Sequence, residues 1–122
     1  MAGPLPDETI VIRGGENKLL DVRKSAAEAA ETGNQGYVLS GNADPAMDLD
    51  AILRAARQPH PKISKTTVGR LRAAGCEVMP PTGKKRHVTI VLPQPPKDAD
   101  YERFVNAFDL PEPNLHRGTG TR

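Results

Sequence analysis

A histidine behind three consecutive cations is the clearest chemical feature of this chain: Lys84-Lys85-Arg86-His87 runs straight into Val88-Thr89-Ile90-Val91-Leu92. Imidazole exchanges protons near neutral pH, which suits general acid or base work, and clustered cations stabilise charge that develops on a phosphorane. The combination points to a phosphate-bearing partner that His87 would act on or grip. Alternation along a strand puts His87, Thr89 and Val91 on one face and Val88, Ile90 and Leu92 on the other. The second set is wholly apolar and predicts the core side, so His87 and Thr89 project away from it beside Lys84, Lys85 and Arg86. A plainer reading of the same run is a strand-opening histidine next to a solvated basic loop.

Arg13-Gly14-Gly15 and Ser40-Gly41-Asn42 form a second pair of suggestive positions. Each reads as a polar residue at the C-terminal end of a short apolar strand, followed by glycine before a helix. Ligands bind at that end of α/β sheets, and glycine lets a phosphate approach backbone amides. Arg13 and Ser40 therefore join Lys84, Lys85, Arg86 and Thr89 as candidate anion-binding residues, with His87 the candidate catalytic residue. The alternative is a pair of tight turns in which Arg13 binds a carboxylate. No GxGxxG or GxxxxGK[ST] run is present, so a nucleotide fingerprint is lacking. His60, His87 and His116 lie in three different contexts and Cys76 has no partner at ligand spacing, so neither a metal nor a cofactor is expected. Ser25, Ser40 and Ser64 lack the strand–turn–helix context of a nucleophile elbow.

Charge sharpens the picture. From Lys62 to Arg86 there are seven cations against one acid, Glu77, although the net charge of the chain is only +2. Residues 1–60 hold six cations and nine acids, whereas residues 61–122 hold eleven cations and six acids. Such asymmetry suggests RNA, another polyanion or an acidic protein as partner; pairing between the halves would explain it equally well.

The elements that must position these residues follow from periodicity. A length of 122 residues predicts one domain with one small core, and 3% aromatic content with no Trp leaves aliphatic side chains to fill it. Thr9–Arg13 reads as a buried strand, Lys18–Glu31 as a helix with Leu19, Val22, Ala26 and Ala30 on one face, and Tyr37–Ser40 as a strand closed by Gly41-Asn42. Asp44-Pro45 is a helix-start pair, and Leu49, Ile52, Leu53 and Ala56 give that helix its apolar face. Thr66 is placed to cap a short basic helix that Gly75 ends in the left-handed conformation. Cys76–Met79 and His87–Leu92 predict a β-hairpin, and a last helix from about Asp98 carries Tyr101, Phe104, Val105 and Phe108 at i, i+3, i+4 and i+7. The expected architecture is a single α/β (α+β) domain over 9–110, with a short mixed sheet, a hairpin in its C-terminal half and three to four packed helices. Residues 1–8 are expected as a flexible N-terminus and 111–122 as a disordered tail. No apolar run approaches the length of a membrane helix, nothing resembles a signal peptide, and the lone Cys76 reads as a reduced, packed thiol. A cytoplasmic protein with no membrane partner is the expectation, its oligomeric state open.

Two resemblances rest on these residues. Thr9-Ile-Val-Ile-Arg-Gly-Gly15, Thr67-Val-Gly-Arg-Leu-Arg-Ala-Ala-Gly-Cys76 and Arg86-His-Val-Thr-Ile-Val-Leu92 resemble small uncharacterised actinobacterial proteins. Those pair a V-R-G-G strand with a T-V-x-x-L-R-A-A-G-F helix and an R-P-H-x-T-V strand, and the likeness implies no activity. Leu71 to Ile90 is similar to the core of the HicA toxin family, a small ribonuclease module in which a glycine precedes the catalytic histidine of a strand. Gly75, Gly83 and His87 match those places, while Cys76 replaces an aromatic residue and Lys84-Lys85-Arg86 stands where that family has Gly-Ser-His. The likeness implies a toxin-like ribonuclease of a toxin–antitoxin pair with His87 catalytic. An arrangement similar to ADP-ribosyltransferases, with Arg13 and Ser40 on successive strands holding NAD, would also need a late glutamate, and Glu77 is the one acid near the hairpin. The expected function is thus contact between a basic hairpin and RNA or another phosphate-rich partner. Docking on an acidic protein without catalysis stays open beside it.

Overall fold

β-Branched runs give the strands and three-to-four spacing gives the helices. The computed structural model describes residues 5–33, 36–56, 59–81 and 86–115. In chain order the elements are β1 (Ile10–Gly14), α1 (Leu19–Thr32), β2 (Val38–Ala43), α2 (Leu49–Ala56), β3 (Lys62–Thr67), α3 (Val68–Ala73), β4 (Glu77–Met79), β5 (His87–Val91), α4 (Asp98–Asn106) and β6 (Glu112–Pro113). They build one small α/β domain around a six-stranded sheet of order β4-β5-β2-β1-β3-β6. The expected hairpin is β4–β5, with Val78 opposite Ile90.

All five pairings are antiparallel rather than mixed. The parallel relation implied by a strand–helix–strand order does exist between β2 and β3, which α2 connects. β1 lies between them and runs antiparallel to both, so no two parallel strands touch.

The two faces of the sheet are covered unequally. Val11 of β1, Leu39 and Ala43 of β2, Val78 of β4 and Val88 and Ile90 of β5 point into one large core. Val22 and Ala26 of α1, Val68 and Leu71 of α3, and Tyr101 and Phe104 of α4 close it from above. Leu92, Phe104 and Phe108 lie in the same core, and the two phenylalanine rings sit 5.1 Å apart at 59°. On the opposite face a smaller cluster joins Ile52 and Leu53 of α2 to Ile12 and Ile63. That helix neighbours β1 and β2, and its apolar side chains reach residues of β1 and β3. On the β4–β5–β2 part, His87, Ser40 and Glu77 are exposed and Met79 is 48% exposed.

Local chemistry explains the ends of elements. Thr67 accepts a hydrogen bond from Arg70 N at 3.2 Å and caps α3. Gly75, at φ 90, ends it, so that Cys76 N donates to Leu71 O and Gly75 N to Arg72 O. Asp100, buried in the first turn of α4, accepts from Lys97 N at 2.7 Å and from Arg103, which satisfies the start of that helix. Gln94 does a similar service for β2. Its Oε1 accepts from Tyr37 N at 2.8 Å, and its Nε2 donates to Tyr37 O at 2.9 Å.

Several expectations are corrected. Lys62–Thr67, expected as the approach to a basic helix, is the inner strand β3, paired with β1 on one side and β6 on the other. Its inward residues Ser64 and Thr66 are hydroxyls, each satisfied by a carbonyl (Gly15 O at 3.1 Å and Ala107 O at 2.6 Å), so burial leaves no apolar alternation to read. β2 runs on through Gly41 and Asn42. A Cβ on Gly41 would come within 3.2 Å of Val11 Cγ1 and 3.3 Å of Ile12 O, so this glycine permits close strand approach and does not close the strand. Asp44-Pro45 makes a turn, with Ala46 N bonded to Asp44 Oδ1, and the acceptor at the start of α2 is Asp48 Oδ1, 2.9 Å from Ala51 N. At the chain ends, Leu5 is buried in the large core, and Glu112 and Pro113 pair with Ile63 and Lys62. No helix among the described residues is long and apolar enough to cross a membrane.

Candidate anion-binding site

The pairing of β1 with β2 stops after Ile12–Asn42, whereas β1 stays on β3 as far as Gly14–Ile63. Gly15 prolongs that attachment, because its N–H donates to Lys62 O at 2.8 Å. β2 meanwhile stays on β5 as far as Val38–Val91. The sheet therefore splits at this end into a β4–β5–β2 half and a β1–β3–β6 half.

Arg13 fills the split. In a continued register it would stand opposite Gly41; its Nη1 donates to Ser40 O at 2.5 Å. Its Nε donates to Asn17 Oδ1 at 3.0 Å, and the guanidinium lies over the Phe104 ring, 5.7 Å from the centroid. Asn17 reaches it from a left-handed conformation, φ 57, which asparagine tolerates better than most side chains. Every contact of Arg13 is neutral, and no carboxylate among the described residues pairs with it, contrary to the tight-turn alternative. Burial pulls the guanidinium down to about 10, so it keeps its charge at neutral pH.

A cavity of about 410 Å³ opens at the split. Arg13 and Ser40 line it with His87, so the three candidate residues from separate strands do come together. Ser40 and His87 share a face, since Ser40 stands opposite Thr89 and Asn42 opposite His87. Asn42 and Ser25 add to the polar lining, Ala29 and Val38 are among its apolar residues, and no acidic side chain among the described residues lines it. The hydroxyls of Ser25 and Ser40, the Asn42 amide and the His87 imidazole make no hydrogen bond to other described residues. Four polar groups without partners among the described residues, beside a cation that no described carboxylate neutralises, form a donor-rich site for an anion.

The other candidates fall differently. Thr89 is half-buried on the same face but outside the lining. Arg86 sits in the turn before β5 at φ 68, with its carbonyl accepting from Ala43 N at 2.7 Å, and does not line the cavity. Lys84 and Lys85 lie outside the described residues, as do Gly83 and His116. Much of the basic stretch is neutralised within the fold. Lys65 pairs with Glu112 at 3.1 Å, Arg70 with Asp109 at 2.8 Å, and Arg72 with Asp7 at 2.6 Å and Glu77 at 3.4 Å. Ser40 lies mid-strand in β2, not at a strand end; the antiparallel direction is what brings it level with Arg13 near the end of β1.

Asn42, Asn17 and Ser25 were not legible as site residues. Asn42 follows from alternation with Ser40 once β2 is extended past Gly41. Ser25 and Asn17 come from α1 and the turn before it, and no sequence pattern ties them to β2. Cys76 is buried as expected, and burial pushes its thiol up to about 11, which keeps it a protonated packing residue. Comparison with protein families, with curated proteins and with solved structures finds no match for this chain.

Proposed function

We propose that this chain binds RNA or a similarly phosphate-rich partner at the β1–β2 split. Arg13 is the buried cation, Ser40 contributes a donor, and Lys84, Lys85, Arg86 and Thr89 add contacts from the sequence around His87. The single supporting observation is the convergence of Arg13, Ser40 and His87 on one cavity whose lining contains no acid. A guanidinium held by neutral groups keeps its charge available, and charge-assisted hydrogen bonds to phosphate are about twice as strong as neutral ones.

The toxin-like ribonuclease is the sharpest form of this reading. His87, as general base, would take the proton of a ribose 2′-hydroxyl. The freed oxygen would bond to phosphorus, the bond to the 5′-oxygen would break, and water would protonate that leaving group. Arg13 would stabilise the charge of the phosphorane between those events. Docking on an acidic protein draws less support, because Lys65, Arg70 and Arg72 already have carboxylate partners. The ADP-ribosyltransferase-like reading needs a glutamate at the cavity, and none lines it.

The test is RNA binding and cleavage by the full chain. Arg13→Gln should weaken binding by about tenfold or more, equivalent to about 1.4 kcal/mol. His87→Ala should leave binding and thermal unfolding unchanged and abolish cleavage. Cleavage at an undiminished rate by His87→Ala overturns the ribonuclease form, and undiminished binding by Arg13→Gln overturns the site.

A further inference from the structure

The cavity fits one nucleotide better than a strand of them. Its volume, about 410 Å³, lies in the ~300–1,000 Å³ range of small-ligand sites. It is also closed behind the cation: Arg13 lies against Phe104, which is fully buried in the large core, so a chain that placed a phosphate on Arg13 could not continue past it.

Free hydrogen-bonding capacity points the same way. Among the described residues, one N–H of Arg13 Nη1 and the Nε–H are engaged, which leaves the other Nη1 hydrogen and both Nη2 hydrogens for a ligand. Three donors at one fixed guanidinium match a phosphomonoester, whose oxygens are mostly unesterified, better than a phosphodiester with two. The Asn42 amide, which has no hydrogen bond to other described residues, carries both donor and acceptor groups for the edge of a base.

Building on the proposed RNA contact, but with a terminal phosphate on Arg13 in place of the scissile diester of the ribonuclease form, we infer that the cavity receives a single nucleotide bearing a phosphomonoester, with the phosphate on Arg13 and the base beside Asn42. Two sources present this chemistry, a free nucleoside monophosphate and the phosphorylated end of an RNA strand.

Fluorescence anisotropy of labelled hexaribonucleotides carrying a 5′-phosphate, a 3′-phosphate or neither tests the inference, with unlabelled nucleoside monophosphates as competitors. One phosphorylated form should bind at least ~10-fold more tightly than the unphosphorylated strand, the monophosphate should compete, and Arg13→Gln should erase the difference. Ser25→Phe, on the exposed side of α1, fills the cavity without replacing Arg13 and should also block binding, which covers the case of an Arg13 variant that folds poorly. Binding of the monophosphate alone supports the inference and assigns the ligand to the free nucleotide pool, overturning the RNA reading. Equal binding of phosphorylated and unphosphorylated strands overturns the inference and leaves the RNA contact standing. No binding by any of these probes overturns both.

Discussion

On β5, Val88 and Ile90 are fully buried in the large core, while their chain neighbours His87 and Thr89 turn to the opposite face, where His87 is exposed and Thr89 half-buried. The contrast repeats on β2, where Leu39 is buried and Ser40 is exposed. The two faces are made by the same backbone, two residues to a repeat. Helices α1, α3 and α4 supply the burial that fixes the strands, and the bare side inherits that fixed geometry without contributing apolar contacts of its own. Ser40, Asn42 and His87 on that face are positioned by rigid strands and are replaceable at little cost in stability, whereas Arg13, two residues from Val11 and packed on Phe104, lies on the core side. That division predicts where mutations will hurt.

The largest effect should come from Phe104→Ala, which removes the biggest fully buried ring and the surface beneath Arg13. A loss of about 3–5 kcal/mol in urea unfolding is expected. Ile90→Ala and Thr89→Ala then compare the faces at adjacent positions. The first should cost about 2–5 kcal/mol and the second less than about 1 kcal/mol, read by the same denaturation midpoints. Similar losses at the two positions would break the contrast. Gly41→Ala probes the seam between β1 and β2, where the new methyl meets Val11 Cγ1 and Ile12 O and should cost about 1–3 kcal/mol.

The last prediction concerns Cys76, on the closed side. Its thiol is raised from 9.0 to about 11, so folding favours the protonated form. The stabilisation is fully present below pH 9 and is lost as pH rises through 9 toward 11, because the unfolded thiol ionises first. The stability difference between the wild type and Cys76→Ala should therefore shrink between pH 8 and pH 11. A difference that stays constant would mean the thiol is not held in the core.

How much of this was legible depended on what each residue had to satisfy. α1, α4 and the β4–β5 hairpin bury apolar residues at regular spacing, so their periods are written in the chain. β3 buries Ser64 and Thr66 through hydrogen bonds to distant carbonyls, and no local pattern announces such partners. The candidate residues Arg13, Ser40 and His87 were readable by type, and alternation gave the correct side for His87. Their convergence was not readable, since it depends on β1 following β3 while β2 follows β5. The charge run misled in the opposite way: Arg70 and Arg72 look free in sequence because Asp109 and Asp7 are far away in the chain.

Gln94 gives this arrangement a safeguard against slippage. Beyond Leu92 the chain reads Pro93-Gln94-Pro95-Pro96, and its prolines have no N–H to extend the β5–β2 ladder. The side-chain amide of Gln94 takes over as an extra rung on Tyr37, one residue before β2 begins. A strand that slides by one position reverses every side chain, and here that would turn Ser40 and Asn42 inward and Leu39 out. The alignment that sets Asn42 across from His87 is thus locked from several residues away, by a residue that makes no contact with either.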